Sequence, residues 1–355
     1  GRINQNHKAY RATVKIMRTK GARDCIDRAY TPVSRQHNHE GMGMPQDLSA
    51  TLGKVTSPLA FGVMQFGGKA DAAASRAMYD QAREAGITLF DAAYIYTDGA
   101  AETLLGEFAA AERDALTLIS KCGYKPGMRR AELEAQVAES LKRLRVEQVD
   151  VLYLHRYPGD DLLRESLECL RELHRAGAVA VLGASNFATW QVMKAQALAA
   201  EIGAPRSEIL QPMYNLVNRQ AEVEVLPMAL AEGLAVHSYS PLGGGLLTGK
   251  YAQGGTGRLS EDARYAKRYH LDWMHSAARE HGTIAAALGH PPEALAVAWA
   301  AAHPGISAPI ISASRPEQMA ASLAAAQVEM TPDLHARLAA LTPTPAPATD
   351  RLEEA

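Results

Sequence analysis

The sequence predicts an α/β protein built as a (β/α)8 TIM barrel, and three observations support this prediction. From about residue 58 onward, short β-like runs alternate with Ala-rich helical stretches, which is typical of repeated βα units with parallel strands. The runs number eight, the number that closes a barrel of this kind. The 355 residues, 47% of them hydrophobic, supply enough apolar surface for one large core.

The eight candidate strands are short runs rich in branched apolar residues. They cover residues 59–64, 87–90, 116–120, 149–154, 179–183, 208–212, 234–238 and 309–312. Several of the segments between them are amphipathic with a helical period, and they are long enough for the crossover that parallel strands require. The clearest of these predicted helices cover residues 72–85, 129–144, 161–176 and 221–231.

The spacing of the repeated units changes once, between the seventh and eighth strands. Residues 243–290 contain a Gly-rich loop and a further helical stretch around residues 262–288, ahead of the crossover helix predicted at residues 292–302. Long loops that follow barrel strands usually serve binding, because they gather at the C-terminal face of the barrel. A last helix is predicted at residues 331–341.

The two ends of the chain are expected to lie outside the barrel, which is assigned residues 46–342. Residues 1–45 are predicted to be a basic, disordered extension, because the first 43 residues hold nine Lys or Arg against three acidic residues and show no apolar period. One interpretation is a basic targeting or nucleic-acid-binding arm. The other, which the nearby Met42 and Met44 favour, is a segment foreign to the native protein. The Pro-rich residues 343–355 are expected to be a flexible tail.

Composition argues against several kinds of protein. A net charge of −2 gives no general attraction to nucleic acid, and the longest apolar run, residues 294–302, is far shorter than the roughly 20 residues that cross a bilayer. The three cysteines, Cys25, Cys122 and Cys169, are too widely spaced for a disulfide framework or a zinc knuckle. The histidines show no metal-binding spacing. We therefore expect a cytoplasmic protein without metal, nucleic-acid or membrane partners.

Motifs of three other enzyme classes are also missing. No G-x-G-x-x-G sequence follows an early strand, and no Walker sequence is present, which disfavours a Rossmann dehydrogenase and a nucleotide hydrolase. Residues 183–187 resemble the nucleophile elbow of serine hydrolases only up to their last position, which is Phe187 instead of glycine.

Four side chains that suit carbonyl chemistry follow three neighbouring strands. Asp91 and Tyr96 follow the second strand, Lys121 the third and His155 the fourth, and residues after barrel strands converge on one face. A phenol is a weak acid at neutral pH, so the ammonium of Lys121 is expected to lower the pKa of Tyr96 toward the working range. Asp91 would keep Lys121 charged. His155 would hydrogen-bond a substrate carbonyl oxygen and fix its orientation.

At these four positions the sequence resembles the aldo-keto reductase family, whose catalytic Asp, Tyr, Lys and His follow the second, third and fourth strands. The resemblance covers about residues 58–341. It includes residues 59–68, which are similar to the family's Gly-rich first strand and loop, and it implies that Gly67 contacts the cofactor. The implied fold is the same eight-stranded barrel.

Further segments strengthen the resemblance. Glu102 and Gly106 match the family's S-E-x-x-L-G segment, in which Ala101 replaces the Ser. The local sequences of residues 211–220 and 239–250 are similar to the bacterial and potassium-channel β-subunit-like branch of the family.

The resemblance implies a nicotinamide cofactor across the C-terminal face. Residues 183–187 look like the family's G-x-S-N-F motif, so Ser185 and Asn186, together with Gln211, are the expected contacts of the nicotinamide carboxamide, which presents both a donor and an acceptor. Tyr239 is similar to the aromatic residue that stacks on the nicotinamide ring in this family.

The phosphates of the cofactor are expected on the following two loops. Backbone amides of the Gly-rich loop after the seventh strand would approach the pyrophosphate, and the implied contacts there are Ser240, Leu242, Gly244, Lys250 and Arg258. After the eighth strand, the implied contacts are Ser314, Arg315 and Gln318, at the start of a helix. Arg315 is the expected contact of a 2′-phosphate, so NADPH (NADP+) is favoured and NADH is the alternative.

The predicted function is that of an oxidoreductase that reduces a small aldehyde or ketone to an alcohol, with hydride from the nicotinamide and a proton from Tyr96. The expected substrate pocket holds Phe66, Tyr94, Arg156 and Tyr157. Two alternatives stay open: a cofactor-binding regulatory subunit with slow turnover, and an NAD(P)+-dependent dehydrogenase of a sugar or pyridoxal-type alcohol. A monomer and a homo-oligomer are both compatible with the sequence.

Overall fold

The computed structural model describes residues 47–124, 127–349, 351 and 353. Eight parallel strands close a barrel in chain order, and the last strand pairs with the first. The strands are β1 (Ala60–Gly62), β2 (Leu89–Asp91), β3 (Thr117–Cys122), β4 (Val149–Leu154), β5 (Val179–Ser185), β6 (Ile209–Gln211), β7 (Ala235–Tyr239) and β8 (Ala308–Ile311). The predicted (β/α)8 barrel is confirmed.

Each strand lies where the sequence predicts it, with ends that differ by no more than two residues. The difference matters at the C-terminal ends, because Asp91 and Lys121 lie within β2 and β3 and do not follow them. The parallel ladder continues through both residues, which pair with Ile119 and Tyr153 of the neighbouring strands. Their side chains are therefore held by strand geometry and do not depend on a loop.

Helices surround the barrel, and most follow the prediction. Their bounds are α1 (Ser49–Leu52), α2 (Ala72–Glu84), α3 (Ala100–Ala109), α4 (Arg130–Leu144), α5 (Asp160–Arg175), α6 (Thr189–Ile202), α7 (Val225–Ala231), α8 (Arg258–Glu261), α9 (Ala263–Arg268), α10 (Asp272–Ala287), α11 (Pro292–Ala301), α12 (Met319–Leu323) and α13 (Pro332–Ala339). Across the described ranges, no helix combines the length and the apolar character that a membrane span needs.

Two predicted helices differ from the structure. The stretch predicted around residues 262–288 is broken between α9 and α10, where the buried Tyr269 turns toward the Gly-rich loop and a Cβ on Gly244 would lie 3.0 Å from its ring. The helix predicted from residue 221 begins at Val225, after a 3-10 turn at Gln220–Glu222. At the first of these, the packing of Tyr269 overrides local helix propensity.

The two ends of the chain bear on the predicted domain limits. The predicted extension, residues 1–45, lies outside the described residues, and residues 343–355 are described only in part. Both assignments stay predictions.

The barrel interior is closed at its N-terminal end by apolar side chains. Leu48, just before α1, packs with a cluster of inward-facing residues from five strands: Ile119, Val151, Tyr153, Val181, Ile209 and Ala235. The ring of Tyr153 needs a glycine on the neighbouring strand, because a Cβ on Gly183 would lie 2.6 Å from it. The chemistry is consequently expected at the opposite, C-terminal end.

Burial keeps several histidines neutral, and this should make the protein sensitive to acid. Burial lowers the pKa of His281 to about 4, its side chain is fully buried, and neither ring nitrogen has a hydrogen-bond partner among the described residues. The ordinary pKa of histidine is about 6.5, so between these two values the unfolded chain binds more protons than the folded one. The free energy of unfolding must therefore fall as the pH falls through this window.

We expect His281 to contribute roughly 2 kcal/mol to the loss of unfolding free energy between pH 7.5 and pH 5. Urea unfolding at the two pH values should show this loss in the wild type and a correspondingly smaller one in His281→Leu. The exposed His270 is the matched control, because His270→Leu leaves the buried histidine in place. Equal losses in the wild type and His281→Leu would contradict this account.

Candidate active site

The four predicted catalytic side chains meet at the C-terminal ends of β2, β3 and β4. Lys121 is buried and forms an ion pair with Asp91. Its ammonium also donates to the carbonyl oxygen of Ala92 at 2.8 Å and to the hydroxyl of Tyr96 at 3.4 Å. The ring of His155 lies 6.1 Å from the ring of Tyr96, nearly perpendicular to it. The structure thus brings an acid, a cation and an imidazole around one phenol.

The ammonium of Lys121 stays charged although it is buried. Burial lowers the pKa of Lys121. The Asp91 carboxylate and the hydrogen bonds of the ammonium together raise it by more, so the net pKa of Lys121 is raised. The predicted role of Asp91 as the residue that keeps Lys121 charged agrees with this balance.

Lys121 lowers the pKa of Tyr96, as predicted, but the net pKa does not move toward neutrality. Burial raises the pKa of Tyr96, and this effect outweighs the lowering by the nearby Lys121. Tyr96 is therefore a protonated phenol at neutral pH, with a positive charge 3.4 Å from its oxygen. The ammonium stabilises negative charge on that oxygen only as the proton leaves.

His155 is neutral at physiological pH. Burial, and then the positive charges of Lys121 and Arg156, lower its pKa to about 3. Its Nδ1 is buried and has no hydrogen-bond partner within the described residues. A neutral imidazole carries one N–H donor and one acceptor nitrogen, so the ring is able to donate a hydrogen bond to a carbonyl oxygen.

The turn after Tyr96 is held in an unusual backbone conformation. Thr97 and Asp98 both have positive φ, 48° and 52°, which is costly for residues other than glycine. The hydroxyl of Thr97 compensates by donating to the carbonyl of Phe66 at 2.8 Å and accepting from the N–H of Ala101 at 2.9 Å. This turn fixes the chain immediately after the phenol and begins α3.

Sequence reasoning missed Arg143, which braces the segment before Tyr96. From α4, its guanidinium donates to the carbonyl of Tyr94 at 3.0 Å and to the buried carboxylate of Glu102 at 3.2 Å, and it lies 4.7 Å from the centre of the Tyr94 ring. Glu102 also accepts from the hydroxyl of Ser120 at 2.6 Å. The network gives Glu102 a physical role. Nothing in the local sequence around Arg143 signals it.

Gln211 also has a contact that the sequence did not indicate. Its side-chain amide donates to the Asp91 oxygen that is not paired with Lys121, at 2.8 Å. Its backbone carbonyl accepts from the hydroxyl of Ser185 at 3.1 Å. Gln211 is buried, and it links the acid of the ion pair to the end of β5.

Asn186 connects three parts of the site. It has a positive φ of 58°, which asparagine tolerates better than most residues. Its side-chain amide donates to the backbone carbonyl of His155 at 3.0 Å and to the hydroxyl of Ser185 at 3.1 Å, and its oxygen accepts from the hydroxyl of Tyr239 at 2.7 Å. Three of the four residues predicted to hold or stack on the nicotinamide, Ser185, Asn186 and Tyr239, are therefore adjacent.

The loop after β7 is shaped by three consecutive glycines. Gly243, Gly244 and Gly245 have φ of 57°, 64° and 95°, a region that only glycine adopts freely. A Cβ on Gly244 would lie 2.9 Å from the ring of Tyr265, so α9 packs directly on this loop. Ser240, also at positive φ, begins the turn, and Leu242 is partly buried against the core.

The cations predicted to bind phosphates have no acidic partners among the described residues. The ammonium of Lys250 lies 4.9 Å from the ring centre of Tyr251, and the guanidinium of Arg258 lies 5.4 Å from that of Tyr265. Arg315 is exposed at the start of the turn that leads into α12. For these three cations, no carboxylate of the described residues comes within ion-pair distance.

The remaining predicted cofactor contacts form local structure. The backbone N–H and hydroxyl of Ser314 both donate to the side-chain oxygen of Gln318, at 2.9 and 3.1 Å, which closes the turn around Arg315. Gly67 has a φ of 68°, and a Cβ there would lie 2.5 Å from the side chain of Ala100. Only glycine permits this approach of the β1 loop to α3.

Of the four residues predicted to line the substrate pocket, Phe66 lies in the core. Phe66 is fully buried between Phe61 and Phe108, with ring centres 5.9 and 6.0 Å away, so it belongs to the core and does not line the mouth. The loop position suggested exposure, but the side chain turns inward to fill space between β1 and α3. Tyr94 is partly buried and packs under Arg143.

Arg156 and Tyr157 lie on the β4 side of the mouth. The exposed guanidinium of Arg156 is 4.9 Å from the ring centre of Tyr124, and that ring is 5.0 Å from His155. Tyr157 packs edge-on against Trp190, which is 57% exposed. Tyr124 was not predicted as a site residue, and it lies beside the imidazole.

Comparisons with known proteins give consistent matches. The Aldo/keto reductase family model matches residues 58–343. "Aflatoxin B1 aldehyde reductase member 2" of Rattus norvegicus is 35% identical over 195 residues, which are 54% of this chain and about half (53%) of that protein. "Uncharacterized oxidoreductase YrpG" of Bacillus subtilis (strain 168) is 31% identical over 81% of this chain and 93% of its own length. A "Probable voltage-gated potassium channel subunit beta" of Oryza sativa subsp. japonica is 29% identical over 77% of this chain and 88% of its own length.

Proposed function

The chain belongs to the aldo/keto reductase family, and from this premise we propose that it reduces an aldehyde or ketone to an alcohol, with NADPH as the reductant. The observation that carries the proposal is the buried Asp91–Lys121 pair, whose ammonium lies within reach of the Tyr96 hydroxyl. The neutral imidazole of His155 beside it supplies a hydrogen-bond donor for the carbonyl oxygen. NADH is the alternative reductant.

The chemistry of the donor set fits a nicotinamide dinucleotide. The hydroxyl of Ser185 and the amide of Asn186 suit a carboxamide, and the hydroxyl of Tyr239 donates to the oxygen of that amide. The glycines at 243–245 carry no side chains, and three cations that have no acidic partner among the described residues suit phosphates: Lys250, Arg258 and Arg315. When bound, this cofactor supplies the hydride.

The chain's own residues supply the proton and the orientation. His155 donates a hydrogen bond to the carbonyl oxygen and orients it. As negative charge develops on that oxygen, the phenol of Tyr96 gives it a proton, and the ammonium of Lys121 stabilises the phenolate that remains. Asp91, held by Gln211, keeps the ammonium in place. The phenolate then recovers a proton from solvent.

The experiment that tests this function is aldehyde-dependent oxidation of NADPH. We expect the nicotinamide absorbance to fall when 4-nitrobenzaldehyde is added to the protein with NADPH, and to stay constant when the aldehyde or the protein is left out. An absorbance that stays constant with all components present, for several aldehydes and ketones, would argue against the proposal.

A second candidate function is a cofactor-binding regulatory subunit with slow turnover. The similarity to a probable potassium channel subunit beta favours it. A single slow oxidation of bound NADPH per protein molecule, without multiple turnovers, would support this alternative over the reductase. The dehydrogenase alternative uses the same site in the opposite direction, and alcohol-dependent reduction of NADP+ would reveal it.

Arg315 gives a separate prediction about the choice of cofactor. We expect Arg315→Ala to weaken NADPH binding by about 10- to 100-fold, since a charge-assisted contact to the 2′-phosphate would be lost. NADH lacks that phosphate, so its affinity should change little. Quenching of tryptophan and tyrosine fluorescence during nucleotide titration measures both affinities.

The matched control for this prediction is Arg164→Ala. Arg164 is an exposed arginine on α5, which follows β4 on the opposite side of the barrel from β8. Arg164→Ala should leave the affinities for NADPH and NADH unchanged. If Arg315→Ala weakens NADPH and NADH equally, or weakens neither, Arg315 does not select the 2′-phosphate.

A further inference from the structure

We propose that the site takes carbonyl substrates that carry a carboxylate, and that Arg156 binds this carboxylate. The inference rests on the proposed reductase function and adds a substrate class to it.

The position of Arg156 places a positive charge beside the carbonyl-orienting imidazole. Arg156 directly follows His155, and its guanidinium lies 4.9 Å from the ring centre of Tyr124. That ring lies 5.0 Å from the ring of His155. The guanidinium is therefore held against the mouth by an aromatic ring, and its charge contributes to the lowered pKa of His155. A substrate anchored at His155 by its carbonyl group would extend past Arg156.

The guanidinium of Arg156 has no anionic partner among the described residues, and it is exposed. The nearby carboxylate of Asp160 is already paired with Lys194 at 2.7 Å. Asp262, on the loop after β7, is paired with Arg264 at 2.8 Å. The planar fork of donors on Arg156 therefore remains available, and this fork matches a carboxylate with two parallel hydrogen bonds.

The topology of the barrel separates Arg156 from the cofactor phosphates. In a closed barrel of eight strands in chain order, β4 and β8 lie on opposite sides. Arg156 follows β4, whereas the cations and glycines proposed to hold phosphates follow β7 and β8. Arg156 is therefore attached to the side of the barrel opposite the phosphate contacts proposed after β8.

The test compares two aldehydes that differ only in charge, 4-carboxybenzaldehyde and its neutral methyl ester, methyl 4-formylbenzoate. In Arg156→Gln we expect the ratio of kcat/KM for the acid to kcat/KM for the ester to fall about 10- to 100-fold, carried mainly by KM for the acid. Arg156→Lys keeps the charge but loses the fork, so its ratio should lie between those of the wild type and Arg156→Gln.

The matched control is Arg268→Gln. Arg268 lies on α9, over the ring of Tyr265 at 5.3 Å, so its removal takes away one positive charge and leaves Arg156 in place. Arg268→Gln should keep the wild-type ratio of kcat/KM for the acid to kcat/KM for the ester. An unchanged ratio in Arg156→Gln would overturn the proposal, whether kcat/KM stays the same or falls equally for acid and ester. Arg156 would then have no role in recognising the carboxylate.

Failure of the inference is distinguishable from failure of the proposed function. Oxidation of NADPH with the ester and no effect of Arg156→Gln on the ratio would remove the anionic substrate class and leave the reductase function intact. Oxidation with neither aldehyde would remove the reductase function. In that case, calorimetric titration with benzoate decides about the anion site: binding that Arg156→Gln abolishes supports it, and absence of binding overturns it.

Discussion

Replacement of Tyr96 by phenylalanine should lower kcat for aldehyde reduction by about 10²- to 10⁴-fold, the usual contribution of a positioned general acid. The phenol is the only group within the proposed mechanism that gives a proton to the carbonyl oxygen. Its raised pKa keeps it protonated at neutral pH, and Lys121 at 3.4 Å stabilises the charge that forms when the proton leaves. Phenylalanine keeps the ring and removes only the hydroxyl.

Steady-state kinetics with 4-nitrobenzaldehyde, together with fluorescence titration of NADPH, separate this effect from a loss of cofactor binding. The matched control is Tyr157→Phe, which removes another tyrosine hydroxyl at the mouth, one that donates to Asp160 and has no contact with Lys121. Its kcat should fall far less than that of Tyr96→Phe. If Tyr96→Phe retained kcat within about threefold of the wild type, Tyr96 would not be the general acid.

Replacement of Lys121 by methionine should have the largest effect on stability, a loss of about 3–5 kcal/mol in the free energy of unfolding. The Lys121 side chain is fully buried and that of Asp91 nearly so, and methionine would leave the Asp91 carboxylate without its counter-charge. Gln211 would remain as a hydrogen-bond donor to that carboxylate but carries no charge. Urea unfolding at neutral pH measures the loss.

An exposed ion pair supplies the control for this prediction. Lys142 pairs with Glu139 at 3.5 Å, and its side chain is 79% exposed, so Lys142→Met should change the free energy of unfolding by less than about 1 kcal/mol. The double variant Lys121→Met/Asp91→Asn removes both buried charges and should be more stable than Lys121→Met alone. A loss in Lys121→Met no greater than in Lys142→Met would show that the pair is not a buried charge pair.

The barrel could be predicted because each strand is a short apolar run bounded by turn residues, and eight such runs with helices between them have few arrangements available. Asp91, Tyr96, Lys121 and His155 could be predicted as one site for the same reason, since the ends of parallel barrel strands converge. The structure brings these four together.

Other features depend on contacts between distant parts of the chain. The hydrogen bond from Gln211 to Asp91 joins residues 120 positions apart in the sequence. The hydrogen bond from Arg143 to the Tyr94 carbonyl joins residues 49 positions apart. Local sequence carries no signal for either contact. The net direction of the Tyr96 pKa shift depends on burial, which the sequence does not quantify, so the lowering by Lys121 could be predicted but the net rise could not.

The substrate pocket shows the same limit for loop residues. Phe66 follows β1 at a position that suggested the mouth, yet its ring fills the space beside Phe61 and Phe108. In a strand, alternation tells which side chains face inward, but a loop has no such period. Tyr124 was missed for the same reason.

The most direct test of the proposed reaction is transfer of deuterium from NADPH deuterated at both C4 positions to 4-nitrobenzaldehyde. Mass spectrometry of the product alcohol should show one deuterium on the carbinol carbon with the wild-type protein, and the same product formed much more slowly with Tyr96→Phe. An alcohol without deuterium, or no alcohol after prolonged incubation with saturating nucleotide, would contradict reduction of a carbonyl group by this site.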